Sequence, residues 1–214
     1  MNKQRLPPAR LSSATGERCP AIINASRLRR SDTELGGTHN WYVTEDEIIR
    51  RFSELPGVVT LIASKENGAP EVAWGDSFFF YDPDNAIPEN RRLPFATIVI
   101  NDYPGFDTAS NLERPGVFRL NLAIGRDRFM ELFGFSPAEF AKRPDEFDFT
   151  ALDRIIPHPV YAQQGWISVL VPGAGTEKQV GQLIVQAYER ARGRYRPHRP
   201  GVPHQEQNQT ASND

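Results

Sequence analysis

The sequence predicts an α+β fold, a single domain in which a mainly antiparallel sheet of about five strands is packed by helices. Segments rich in β-branched and aromatic residues are grouped along the chain rather than alternating with helical segments. Loops rich in Pro, Asp, Asn and Gly separate neighbouring strands, which favours antiparallel pairing. The helices carry apolar residues on one side only. These observations predict the order αββββααβα, with the sheet covered on one face.

The domain is expected to begin with a helix. Thr44 is a good N-cap, and Glu47 completes a capping box. Pro56-Gly57 then ends the helix. The apolar stripe between these signals consists of Ile48, Ile49, Phe52 and Leu55.

Four strands are predicted next, each rich in β-branched or aromatic residues. In the last of them Arg119 and Asn121 alternate with apolar residues, so both point away from the apolar face and could line a groove. The second contains four consecutive aromatic residues, Phe78–Tyr81, which cannot all face one side. Both faces of that strand must therefore be covered, by this chain or by a dimer or partner. The four strands are Val58–Ala63, Asp76–Tyr81, Phe95–Asn101 and Val117–Ile124.

The second half of the domain is predicted to be mostly helical. A short helix covers Arg126–Phe133, and Ser136, with Pro137 and Glu139, starts another. A fifth strand, Trp166–Val171, leads into a final helix that Thr176 caps, with Gln179 completing the box, and that ends near Tyr195. The core stripe of that helix is Val180, Leu183, Ile184, Ala187, Tyr188 and Ala191.

Both ends of the chain differ from this domain, which spans residues 41–195. Residues 1–40 have no sustained apolar period and are expected to be a disordered leader, although a mistaken translation start would look the same. Residues 196–214 are expected to be a disordered tail. Residues 41–190 hold 14 basic and 22 acidic side chains, whereas both ends are basic. The acidic body argues against nucleic-acid binding by the domain, but leaves binding through the basic ends, Arg27–Arg30 and Arg190–Arg199, open.

The expected location is the cytoplasm, without membrane association. No apolar run approaches the length of a membrane span, and no apolar segment of signal-peptide length follows the basic N-terminal residues. Cys19 is the only cysteine, so an internal disulfide is impossible.

The candidate site centres on His158, which lies between Pro157 and Pro159 on a stiff, extended segment. One hypothesis makes His158 a general acid or base, Asp153 the carboxylate that orients it and Arg119 an anion clamp. The alternative is that His158 packs on Tyr161 or Trp166 and donates a hydrogen bond to a backbone carbonyl. No nucleophile motif accompanies it.

No metal or cofactor is expected. The other histidines, His39, His198 and His204, lie in the presumed ends with Cys19, and a zinc site needs three or four ligands. Gly173–Gly175 resembles half of a dinucleotide fingerprint, but no strand follows the final helix to complete the βαβ unit. The N-terminus of that helix, with Thr176 and Lys178, could still hold a phosphate or carboxylate weakly.

Several blocks of the sequence resemble one family. They are FFFYDPD (78–84), RRLPFATIV (91–99), RPGVFRLNLAIGRDRF (114–129), DFTALDRIIPHPVYA (148–162) and the segment from GWISVLVP to AYERA (165–191). Over residues 44–195 the chain is similar to the bacterial domain-of-unknown-function family DUF6194. That family has no established activity, so the resemblance does not point to a reaction. More distantly, it is similar to MmcQ/YjbR-like proteins. That similarity implies a compact secretion-chaperone-like α+β fold, and some of those relatives have been suggested to bind DNA.

The favoured hypothesis is a small non-enzymatic binding domain for a protein partner or a small ligand. Its candidate ligand-binding residues are Arg119, Asn121, His158, Tyr161 and Trp166. An enzyme that uses His158 and nucleic-acid binding through the basic ends are the alternatives, and a homodimer is also compatible with the sequence.

Overall fold

A computed structural model describes residues 43–143 and 145–197. The expected disordered leader and nearly all of the expected tail lie outside these residues. The described part is α+β, with one open antiparallel sheet. Its helices are α1 (Glu45–Ser53), α2 (Arg126–Phe133) and α3 (Glu177–Arg194). Its strands are β1 (Val58–Ile62), β2 (Ser77–Tyr81), β3 (Ala96–Val99), β4 (Arg119–Ala123), β5 (Ile155–Pro157) and β6 (Trp166–Leu170).

The six strands lie in the order β1-β2-β3-β4-β6-β5, and every neighbouring pair is antiparallel. Five of them coincide with the predicted strands. The sequence prediction missed β5, which is three residues long, ends in Pro157 and pairs only with β6. So short a segment shows no alternation, and proline disfavours a strand assignment.

The helices cover one face of the sheet and form the main core with it. Phe52 of α1 stacks on Phe79 of β2 with 4.1 Å between ring centroids. The α3 stripe is buried as predicted, and the Tyr188 hydroxyl donates to the Pro56 carbonyl at 2.9 Å, which fixes α3 to the end of the α1 segment. Leu120 and Ile167, from the neighbouring strands β4 and β6, are fully buried beneath the helices.

The Thr44 N-cap and the Ser136–Glu139 capping box are confirmed, whereas the described structure shows no reciprocal bond from the Glu47 side chain to complete a box at Thr44. The Thr44 hydroxyl accepts the Glu47 amide at 3.3 Å, and the Ser136–Glu139 capping box is present. The segment that follows Ser136 is a 3-10 helix, Pro137–Lys142, rather than an α-helix. Thr176 does not cap α3 with its own hydroxyl, because that hydroxyl donates to Asp153 instead.

The opposite face of the sheet, called the second face below, is covered by connecting segments rather than by helices. The β3–β4 connector lies over its centre, since Tyr103, Asp107 and Ser110 bond to side chains of this face. The segment between β5 and β6 lies beside it. No helix in the described residues is long and apolar enough to cross a membrane.

Two glycines in the left-handed region offer a test of this packing. The φ angles of Gly134 and Gly165 are 75° and 77°. A Cβ on Gly134 would meet nothing within 4 Å, whereas one on Gly165 would lie 2.6 Å from the Gly125 carbonyl carbon.

We expect Gly134→Ala to lower the free energy of unfolding by about 1–2 kcal/mol, the usual cost of the left-handed region for alanine. Gly165→Ala should cost clearly more, because backbone must move; equal losses in urea unfolding would contradict this packing.

Candidate functional site

A chain of polar side chains crosses the three central strands on the second face. Thr97, Asn121 and Ser168 lie opposite one another in the strand register. The side-chain Nδ2 of Asn121 donates to the Thr97 hydroxyl at 3.0 Å, and the Ser168 hydroxyl donates to the side-chain Oδ1 of Asn121 at 2.8 Å. All three are buried, so their polar atoms are satisfied inside the protein.

Next to this chain, a buried ion pair ties the β3–β4 connector to the sheet. Arg119 is 2% exposed, and its guanidinium donates to both carboxylate oxygens of Asp107, at 2.6 and 3.3 Å. It also donates to the Ser110 hydroxyl at 2.7 Å. Arg119 faces away from the apolar core, as predicted, but it binds its own chain rather than lining an open groove.

A second contact holds the same connector. The Tyr103 hydroxyl donates to the carboxylate of Asp76, which precedes β2, and the Ile100 amide donates to that carboxylate at 2.9 Å. Burial raises the pKa of Asp76 to about 6, against the lowering effect of these two hydrogen bonds and of Arg119. Burial and the Asp76 contact raise the pKa of the Tyr103 hydroxyl, which therefore remains a donor.

We call the side chains described so far the polar cluster; they are Thr97, Asn121, Ser168, Arg119, Asp107, Ser110, Asp76 and Tyr103. His158 lies at the margin of this polar cluster and is 3% exposed. Its amide donates to the Trp166 carbonyl at 3.1 Å and so extends the β5–β6 ladder. Its Nδ1 accepts the amides of Val160 and Tyr161 at 3.0 and 3.2 Å. The ring lies 5.0 Å from the Tyr161 ring and 6.4 Å from the Trp166 ring, between centroids. His158 therefore packs on both aromatic residues, and its Nδ1 accepts hydrogen bonds from the following turn.

These contacts favour a neutral imidazole. A ring nitrogen that accepts two amide hydrogens carries no proton, which assigns the proton to Nε2. Burial, and secondarily the Arg119 charge, hold the pKa of His158 well below its usual value.

The structure places Asp153 at the N-terminus of α3, where it does not orient His158. Its carboxylate accepts the amides of Gly173, Gly175 and Thr176 at 2.8, 2.9 and 3.0 Å, together with the Thr176 hydroxyl. Partial burial opposes ionisation, but these hydrogen bonds lower the pKa of Asp153 overall. The helix N-terminus that the sequence offered to a phosphate is thus filled by a carboxylate of the same chain.

The surface beside the polar cluster is aromatic. Trp166 and Tyr161 are half-buried, with ring centroids 6.4 Å apart, and Phe106 packs against Tyr161 at 6.1 Å with 40% of its surface exposed. On β2, Phe78 and Phe80 are also half-buried on the second face, whereas Phe79 is buried on the helical side. We call these two groups together the aromatic face: Phe78 and Phe80 on β2, and the mutually packed Phe106, Tyr161 and Trp166 further across the same side of the sheet.

The five candidate ligand-binding residues thus lie on one side of the sheet but differ in accessibility. Tyr161 and Trp166 reach the surface, whereas Arg119, Asn121 and His158 are buried below it. Sequence reasoning missed Tyr103, Phe106, Asp107 and Ser110, all in the β3–β4 connector. Two aromatic residues in a connector rich in Pro and Gly were the available signal.

Two buried polar atoms at this site, Arg119 Nε in the polar cluster and Tyr161 Oη on the aromatic face, have no hydrogen-bond partner among the described residues. Burial and the nearby Asp107 charge raise the pKa of Tyr161 to about 12, so its hydroxyl remains protonated at neutral pH. In residues 43–143 and 145–197, no three His, Cys, Asp or Glu side chains are grouped as metal ligands would be. Three clefts of the described chain lie outside this site, one beside Asp153, one on α3 and one between the start of α2 and α3.

A family model described as "Family of unknown function (DUF6194)" matches residues 43–200. No curated protein and no solved structure matches the chain.

The buried ion pair predicts a large loss of stability when one partner is removed. Asp107→Ala leaves the Arg119 charge buried without its carboxylate, so we expect the free energy of unfolding to fall by about 3–5 kcal/mol. The matched control is Glu189→Ala, which removes an exposed ion pair with Arg192 of 3.3 Å. That change should stay within about 0.5 kcal/mol. Similar losses in denaturant titrations of both variants would refute a structural role for the Asp107 pair.

His158 predicts a specific dependence of stability on pH. The unfolded chain takes up a proton at this side chain near pH 6.5, whereas the folded chain resists it, so stability is lost as the pH falls below about 6.5. This contribution should reach ~1.4 kcal/mol for each pH unit until the folded pKa is reached.

His158→Asn is the informative variant, because its carboxamide oxygen can still accept the Val160 and Tyr161 amides without titrating. Its stability should therefore fall less than that of the wild type between pH 7 and pH 5, measured by urea unfolding. His158→Ala should be less stable than His158→Asn at every pH, since it removes the acceptor as well. Parallel pH profiles for His158→Asn and the wild type would exclude a neutral buried imidazole.

Proposed function

The chain belongs to the DUF6194 family, whose function is unknown, and we propose that it is a non-enzymatic binding domain for a protein partner. The partner is an apolar segment that lies on the aromatic face. The observation that carries this proposal is the set of partly exposed aromatic side chains on a sheet face without a covering helix, three of them on strands and two in connecting segments.

The composition of this face is typical of protein interfaces. Aromatic residues are enriched at interface centres, where they bury a large area at low cost in side-chain entropy. Phe78, Phe80 and Trp166 are on strands, so their positions are set by the sheet before a partner arrives. Preorganised side chains lose little freedom on binding, which favours affinity.

The shape of the surface favours a protein over a small ligand. Small-molecule sites are usually concave, and three clefts of the described chain are lined by none of the residues of the aromatic face. Residues 41–190 hold 22 acidic and 14 basic side chains. An apolar segment flanked by lysine or arginine would therefore be steered to this domain by its charge.

In this proposal the five candidate residues have two roles. Tyr161 and Trp166 contact the partner, whereas His158, Arg119 and Asn121 are positioning residues. His158 holds the turn that presents Tyr161, and it packs against Trp166. Arg119 and Asn121 keep the connector and the central strands in place beneath them.

The geometry offers less support to the enzymatic alternative. Asp153 is engaged at α3, and His158 Nδ1 is engaged by backbone amides. The binding proposal includes a cytoplasmic location, supported by the single cysteine. It also keeps the distant relationship to MmcQ/YjbR-like proteins, supported by the sequence blocks quoted above.

A photo-crosslinking amino acid at position 80 tests the proposal in cells that naturally express the chain. It should capture a defined partner, whereas the same group at position 185 should not. Val185 is 53% exposed on α3, across the molecule from the aromatic face.

The captured partner is then purified and titrated with the full chain by calorimetry. Trp166→Ala should weaken binding at least about tenfold, equivalent to ~1.4 kcal/mol, while Val185→Ala leaves it unchanged. Circular dichroism checks that both variants are folded. Equal crosslinking at both positions, or unchanged affinity of Trp166→Ala, would disprove binding at this face.

A further inference from the structure

Strand β1 is one edge of the described sheet, because it pairs with β2 alone. The backbone bonds at its two ends show which residues face β2. The Asp82 amide donates to the Gly57 carbonyl, and the Ala63 amide donates to the Asp76 carbonyl. Inward-facing residues alternate along an antiparallel strand. Residues 57, 59, 61 and 63 therefore bond to β2, and the backbone groups of Val58, Thr60 and Ile62 point outwards.

Some of these outward groups are already used. The Val58 amide donates to the Leu55 carbonyl at 3.2 Å, and the Ile62 carbonyl accepts the Asn67 side-chain amide at 2.7 Å. The remaining outward groups are the amide and carbonyl of Thr60, the carbonyl of Val58 and the amide of Ile62. None of these four backbone groups faces β2, and none has another hydrogen-bond partner in the described chain.

This remaining set is self-complementary. When two β1 strands pair antiparallel about a twofold axis at Thr60, each Thr60 amide faces the other Thr60 carbonyl. Val58 of each copy then lies opposite Ile62 of the other, so that each free Ile62 amide meets a free Val58 carbonyl. Four hydrogen bonds form and no outward group of the two strands remains unpaired, which is the geometry of an isologous interface.

The two sheet edges differ in how they are protected. Edge strands that stay unpaired are usually short, or carry charged residues, prolines or bulges. β5 fits this description, since it has three residues and ends in Pro157. β1 has five residues, VVTLI, without charge or proline. Strand β1 therefore lacks the features that usually protect an unpaired edge.

Exposed apolar side chains also lie in β1 and in the connector that follows it. Eight large apolar residues are exposed in the described chain, and three of them lie in β1 or in the connector that follows it. Ile62 is 47% exposed, Val72 37% and Trp74 36%. Backbone pairing alone buries too little surface for a stable dimer, and these side chains supply further area.

We propose that a second copy of this chain binds the β1 edge, so that the two sheets continue into one sheet of twelve strands. Twelve follows from six strands in each described copy. The proposal is independent of the aromatic face. The twofold axis passes beside Thr60 on the outer edge of β1, whereas the strand residues of the aromatic face are on β2 and β6.

Charge at the twofold axis tests the proposal. Thr60→Lys places two like charges directly opposite each other in the dimer, and Thr60→Glu does the same with negative charges. We expect the full-length wild type to sediment as a dimer, and each variant to dimerise at least about a hundredfold more weakly. An equimolar mixture of the two variants should restore the dimer, since opposite charges then face each other.

Leu93→Lys is the matched control, because Leu93 is 85% exposed and distant in sequence from the edge. It should sediment as the wild type does, and circular dichroism should show native content for all variants. A monomeric wild type would overturn the proposal, whether the edge is free or covered by another part of the same chain. A wild-type dimer that Thr60→Lys leaves intact would also overturn it, by placing the interface elsewhere.

Discussion

The buried ion pair between Arg119 and Asp107 is the interaction on which the second face depends. Arg119 is on a central strand and points to the second face, which no helix covers. Its buried charge therefore needs a carboxylate from a connecting segment on that face. The β3–β4 connector supplies that partner through Asp107, with Ser110 as a further acceptor. A buried guanidinium without a carboxylate would be very costly. The connector is therefore held over the sheet by this ion pair together with Leu112, which is buried against Val99, Ile156 and Leu170 of the same face.

Further properties of this face follow from that constraint. The Arg119 charge helps to keep His158 neutral, and a neutral imidazole can accept the Val160 and Tyr161 amides. Those bonds form the turn that brings Tyr161 beside Trp166. Phe106, in the same connector as Asp107, packs on Tyr161. The polar interior thus sets the positions of the aromatic side chains above it.

The N-terminus of α3 and the two edges of the sheet also have simple physical explanations. Asp153 fills the N-terminus of α3, so the carboxylate compensates three free amides and no external anion is needed there. The edges of the sheet are treated unequally, since β5 is short and ends in proline while β1 is longer and uncharged. The proposed partner on the aromatic face and the proposed second copy at β1 therefore use different surfaces.

The three α-helices, five of the six strands and the direction in which Arg119 and Asn121 point could be predicted from the sequence alone. These depend on periodicity, capping residues and alternation, which are local. The groups that those side chains contact are set by the tertiary structure. Asp153 is close to His158 in sequence, yet the fold takes it to α3, and the partner of Arg119 is Asp107, twelve residues earlier in a connector with no regular pattern. Such pairings depend on the path of the chain between elements, which residue spacing does not encode.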